Sequence, residues 1–359
     1  MRKITTSLFF LVFSVLVFGQ TGQKFETMLD GITVQDICGD GQNLWIATNG
    51  SGIFKYNIKT KTLENYSTSN GAIKHDFFFC LAANENYVWA GSTDGLFIFD
   101  KKTGRWTSRK FGKGGQLGNW IRSLAYDKYE NVVWIGRFQY LTRYNLRTKQ
   151  FEDFDLTRRG IEKTNNIKKV AVDGDSLVWF GSEAGLHKYN KKKNIMDPNS
   201  IVFYDTRFNY FNGEGDEVSI TSLLFEQKNL WIGLDEFITP DRPQFNIGGL
   251  YKFDRKNDWR RFDASTGLAG NGIFCLERTG NYIWAGLYQF GQSSKVSYGR
   301  GIALINRLTN QVRVLNDPDI PATVYCMYFD GSVMWLGTNN GIVKIPITNK
   351  FASITKGAK

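Results

Sequence analysis

The chain has 359 residues, 15% of them aromatic, with 37 Gly, only 6 Pro and a formal net charge of +11. So many aromatics argue against a disordered chain and so many Gly against long helices, whereas many short strands joined by tight turns would use both. The length admits two average domains or one large all-β ring.

Arg2 and Lys3 precede the apolar run SLFFLVFSVLVFG (7–19). This predicts a signal peptide over 1–19, cut near Gly19/Gln20. A membrane anchor needs about 20 apolar residues, and no later stretch is long and apolar enough to span. The mature chain, 20–359, is therefore expected to be soluble, periplasmic or secreted, and without a membrane span.

From residue 45 onward one phrase recurs seven times, led by Trp45, Trp89, Trp134, Trp179, Trp231, Trp284 and Trp335. A period of about 45 to 50 residues predicts a propeller or another repeat array. In the second unit, FFFCLAA (77–83) reads as a buried inner strand, YVWAGS as the second, LFIFD as the third and RWTSRK as the polar outer strand. Gly or Ala stands two places after each Trp (Ala47, Gly91, Gly136, Gly181, Gly233, Gly286, Gly337), as if to leave a gap beside the indole. A second Gly follows the next turn in six units (Gly52, Gly95, Gly185, Gly249, Gly301, Gly341), suggesting a positive φ. The third unit, WIGRFQYLTRY, has no such Gly, so a different turn is expected there.

Seven units that cannot bury their faces alone predict an all-β fold, a single seven-bladed β-propeller of four-stranded blades. KFETML (24–29) and KFASIT (350–355) both look like outer strands, and one of them must complete the last blade. The N-terminal one is preferred. Cys80, Cys275 and Cys326 each lie nine residues before a repeat Trp, and Cys38 lies seven before. Equivalent sites on different blades would be too far apart to bridge, so buried thiols are expected rather than disulfides.

The phrases LWIATNGSGIFKYN, VWAGSTDGLFIFD, VWFGSEAGLHKYN and MWLGTNNGIVKI resemble the two-component-regulator propeller repeat. That repeat occurs in periplasmic sensor regions of hybrid histidine kinases and in stand-alone exported proteins. The likeness runs from about residue 24 to 355 and rests on packing residues, so it implies a fold more than a function. After the propeller no transmembrane helix, kinase segment or DNA-binding helix follows, so relay of a signal by this chain alone is not expected. The resemblance also implies that the outer-to-inner and second-to-third connections share one face of the ring.

The longer periods late in the chain come from two insertions on that face, LDEFITPDRPQFNIGG (234–249) and LYQFGQSSKVSYGRG (287–301). They carry Phe237, Arg242 and Phe245, and Tyr288, Phe290, Tyr298 and Arg300. Long loops on a rigid scaffold are where binding groups gather. Aromatic faces beside planar polar side chains suit a glycan or peptide, although the two loops could instead pack on each other as plugs. FNYFNGEGDE (208–217) belongs to the same face. So do the inner-strand starts His75, Asp76, Asn119, Asn165 and Asn271, which either ring the channel mouth or form turns.

On the opposite face basic third-to-fourth turns alternate with acidic inner-to-second turns, predicting a mixed, solvated surface. Of the two His, His187 sits where other units carry Phe54 and Phe97 and reads as structural. His75 beside Asp76 could act as a general base, yet no convincing nucleophile accompanies it. There is no zinc spacing, Ca loop, P-loop or dinucleotide fingerprint, so no cofactor and no metal is expected. Streptogramin lyases are similar in ring type but need a His and Glu set that has no match here. DKKTGRW (100–106) is similar to the quinoprotein docking repeat only once. The expected partner is an envelope glycan, peptide or protein, and not nucleic acid. The alternative is a lyase- or hydrolase-like propeller enzyme using His75 and Asp76.

Overall fold

A computed structural model describes residues 25–291, 298–315 and 317–347. The expected signal peptide and cleavage site, and the C-terminal strand at 350–355, lie outside the described residues.

Seven antiparallel four-stranded sheets are arranged as the blades of a propeller. Their inner strands are Val34–Gly39, Phe78–Ala83, Ile121–Asp127, Ile167–Asp173, Ile220–Glu226, Gly272–Thr279 and Val324–Phe329. Each packs beside the next, and the seventh returns to the first. The ring closes through the N-terminal strand Glu26–Met28, which pairs with Gly341–Pro346 as the outer strand of blade 7. Lys344 Nζ meets Glu26 Oε1 at 2.5 Å across that closure.

The repeat Trp residues are buried between blades, and truncating a buried Trp to Ala costs about 3–5 kcal/mol. The small residue two places on has a different purpose from the one its spacing suggests. A Cβ on Gly91 would stand 2.5 Å from Ile121 Cγ2, and one on Gly181 would stand 2.5 Å from Ile220 Cγ2. The gap therefore admits the first inner-strand residue of the following blade, and blades approach backbone to side chain.

The turn glycines do take positive φ, for example 113° at Gly95 and 88° at Gly341. Blade 3 overturns the expectation of a different turn, because Tyr140 adopts φ 75° at the equivalent place. Its N–H donates to Asn165 O at 3.2 Å and its carbonyl accepts from Arg137 N at 3.2 Å, so the surroundings hold a bulky residue in a conformation it disfavours.

The mixed charges of the opposite face are joints between blades. Asp40 meets Lys101, Asp127 meets Lys191, Asp173 meets Arg255 and Glu226 meets Arg307, each between one blade's inner-to-second turn and the next blade. Asp40 also accepts from Trp45 Nε1 at 2.9 Å, as Asp173 does from Trp179 Nε1 at 3.1 Å. Burial works to raise the Asp40 carboxyl, but the hydrogen bonds from Lys101 and Trp45 prevail and hold it at about 2. In the other three joints Leu146, Ile347 and Ile58 follow the third strand instead of a cation.

All four cysteines are free, and Cys80, Cys275 and Cys326 are buried. His187 is fully buried, with Nε2 at 2.8 Å from the Thr164 carbonyl, which makes Nε2 the protonated nitrogen. Burial pushes its pKa down to about 3.

Candidate functional site at the channel mouth

Every inner strand breaks register at its start, where one residue is skipped in pairing with the second strand. The skipped residues are Gln35, Phe79, Arg122, Lys168, Thr221, Phe274 and Tyr325. A bulge re-aims its side chain away from the sheet faces. Three of these residues, Arg122, Lys168 and Phe274, line a cavity of about 460 Å³ with Lys163, Glu183, Glu217, Ser219, Asp235 and Glu236.

The two insertions supply the rest of its wall. The blade 5 insertion folds into a small hairpin, Glu236–Thr239 paired with Arg242–Ile247. It leans on the preceding loop through Asp216 N to Gln244 O (2.7 Å) and Glu217 N to Phe245 O (3.0 Å). In blade 6 the second and third strands run on to pair Tyr288 with Gly299. The Tyr288 hydroxyl donates to Asp235 Oδ1 at 2.6 Å and accepts from Glu236 N at 3.0 Å, tying the two insertions together. This placement requires Gly272, where a Cβ would lie 2.3 Å from the Tyr288 ring. Phe237 stands 4.5 Å from Phe290 and 6.1 Å from Phe245 between ring centroids, and Phe290 stands 5.6 Å from Tyr298.

The charges around the cavity are paired across blades. Arg122 meets Glu183 at 2.5 Å, Lys163 meets Glu217 at 2.9 Å, and Lys168 contacts Asp235. Burial and then the Arg122 charge lower the Lys168 ammonium to about 7, with Glu183 opposing them; the direct contact with Asp235 also favours the charged form. Burial works to raise Glu183, yet hydrogen bonds from Asn166 and Arg122 hold it below the usual carboxylate range. Glu236, 4% exposed, is held by neutral donors, Phe290 N at 2.7 Å and Asn271 Nδ2 at 3.2 Å, and burial raises its pKa.

Phe237, Phe245, Tyr288, Phe290 and Tyr298 all line this cavity. Arg242 is not among the lining residues, but its guanidinium stands 3.5 Å from the Phe245 centroid, and Arg300 reaches Gln289 Oε1 at 3.2 Å. Asn271 contributes indirectly by holding Glu236. His75, Asp76, Asn119 and Asn165 are not among the lining residues. Asp76 accepts from Thr68, while Asn119 and Asn165 accept from Phe111 N (2.6 Å) and Leu156 N (2.8 Å), all within outer-to-inner connections. The His75 ring lies among Phe77, Phe78 and Phe97. Sequence reasoning passed over Arg122, Lys163, Lys168, Glu183, Glu236 and Phe274. A charge inside an apolar inner-strand start was the available signal for Arg122 and Lys168.

No family model matches the chain. It is 27% identical over 153 residues to histidine kinase P4 of Formosa agariphila, a match covering 40% of this chain and 11% of that protein. Among solved structures, an extracellular domain assigned to a hybrid two-component system of B. thetaiotaomicron aligns with TM-score 0.66 at 17% identity, covering 90% of this chain and 39% of the other. The fold is that of the extracellular propellers of two-component sensors. Virginiamycin B lyase of Staphylococcus aureus shares the ring, with TM-score 0.65 at 11% identity over 89% of this chain and 98% of the lyase. The chain thus spans about a tenth of the kinase and under half of the sensor domain. No helix among the described residues is long and apolar enough to cross a membrane.

Proposed function

We propose that this propeller is an exported, non-catalytic binding module that takes a glycan or peptide into the cavity at its channel mouth. The observation that carries the reading is the convergence of five loop aromatics from two insertions on one cavity of about 460 Å³. That volume lies within the range of small-ligand pockets, which combine apolar walls with a few polar groups that set orientation. The extracellular location of the sensor domains that share the fold supports export.

Calorimetric titration with a panel of oligosaccharides and short peptides tests the proposal. A binder should lose at least about tenfold in affinity, about 1.4 kcal/mol, with Phe290→Ala or Tyr298→Ala. A binder indifferent to both substitutions would refute the assignment. Docking of an envelope protein on the same face is a second reading, supported by Phe208 and Phe237, which are 76% and 42% exposed. Such a partner should be released when residues 287–301 are shortened to a tight turn, and its retention would count against that reading.

A further inference from the structure

We infer that the group taken deepest into this cavity is a primary ammonium, held by the Glu236 carboxylate and the faces of the surrounding rings. The inference rests on the cavity being a binding site and names the chemistry of what enters. Three cations and four carboxylates line the cavity, and Arg122, Lys163 and Lys168 are each matched by Glu183, Glu217 and Asp235. Glu236 is the carboxylate left over. Among the described residues no cation lies within ion-pair distance of it, and its two oxygens receive one neutral donor each. A carboxylate oxygen can accept about two hydrogen bonds, so each retains capacity for a ligand N–H.

A buried carboxylate with no ion-pair partner is costly to ionise, and burial raises the Glu236 pKa although the charge of Arg300, beyond ion-pair distance, acts to lower it. An arriving ammonium supplies the missing charge and two or three donors, and the hydrogen bonds formed would be charge-assisted. The aromatic wall favours the same ligand. Arg242 and Lys163 already stand 3.5 Å and 4.8 Å from the Phe245 centroid, so rings in this sector do receive cations. Among the described residues no cation lies over Phe237, Phe290 or Tyr298, which border Glu236 in the same cavity. Aromatic rings that hold no cation of the chain, clustered beside a carboxylate, make a cation site. A neutral ligand of the same shape would fill the cavity but leave the charge unmatched.

Either an amino sugar or a peptide N-terminus could bring the ammonium, and four probes separate them: chitotriose, its fully N-acetylated form, trialanine and N-acetyl-trialanine. Titrated calorimetrically into the full chain, the free amine of one pair should bind at least about tenfold more tightly than its acetylated form. The pair that discriminates identifies the source. Glu236→Gln should bring the two forms within about threefold of one another, with the melting temperature reporting that the variant is folded. Equal or tighter binding of the acetylated forms, or discrimination that survives Glu236→Gln, overturns the inference. If the acetylated forms bind and Phe290→Ala abolishes their binding, the cavity stands as a site and only the ammonium falls. Absence of binding by all four at millimolar concentration overturns both.

Discussion

The two rims of the ring use the same kind of ion pair for different ends. On the rim of third-to-fourth turns, Asp40–Lys101, Asp127–Lys191, Asp173–Arg255 and Glu226–Arg307 sit at equivalent places in successive blades. On the rim of insertions, Arg122–Glu183 and Lys168–Asp235 also cross from blade to blade at one equivalent place, where a bulge residue meets the fourth residue after the next blade's Trp, but only at these two neighbouring junctions, and Lys163–Glu217 joins two outer-to-inner connections beside them. Periodic pairing builds joints. The local pairing on the insertion rim surrounds a cavity and leaves Glu236 without an ion-pair partner among the described residues, which is what a ligand site needs and a joint does not.

Breaking a joint should give the largest effect. Asp127 and Lys191 have side chains 0% and 1% exposed. Lys191→Met strands a buried carboxylate, and denaturant unfolding should show a loss of about 3–5 kcal/mol. Adding Asp127→Asn should recover most of it, because blade 2 already joins blade 3 with Asn84 and Leu146 at these places. A single variant as stable as the parent would mean that the joint carries little.

The next effect depends on pH. With His187 at about 3 in the fold against about 6.5 unfolded, the unfolded chain takes up a proton below about pH 6.5 and the native chain does not. Stability from this group is therefore complete above about 6.5 and falls toward pH 3, by about 2 kcal/mol at pH 5. His187→Phe removes that slope at the cost of the bond to Thr164 O. The variant should be slightly less stable than the parent at pH 8 and more stable at pH 5. Parallel curves for the two proteins would show that His187 is not buried neutral.

The smallest effect is expected at Tyr140. Replacement by Gly relieves left-handed strain but loses the ring, which Lys113 Nζ approaches to 4.4 Å, so thermal unfolding should move by less than about 1 kcal/mol. A loss beyond about 2 kcal/mol would give the side chain a structural role of its own.

The frame was legible because it is periodic: seven Trp, the small residue after each and the turn glycines repeat at nearly constant spacing. Tyr140 escaped because tertiary contacts impose on it a conformation that composition assigns to Gly. Within the site, Phe237, Phe245, Tyr288, Phe290 and Tyr298 stood out because insertions interrupt the period. Arg122 and Lys168 did not. The bulge that aims them lies 12 and 11 residues before its Trp, against 10 for Phe274, so turn length blurs the alignment. Glu236 reads in sequence as one more loop acid, and only three-dimensional adjacency shows that every other carboxylate of the cavity is matched.

The proposed binding role places ligand recognition on the insertion rim alone. Its most direct test is calorimetric titration of one binder from the oligosaccharide and peptide panel into the parent chain, Phe290→Ala, and the Asp127→Asn/Lys191→Met double variant. A loss of at least about tenfold is expected for Phe290→Ala and a change of less than about twofold for the double variant. Undiminished binding by Phe290→Ala, or a tenfold loss in the folded double variant, would contradict the proposed role.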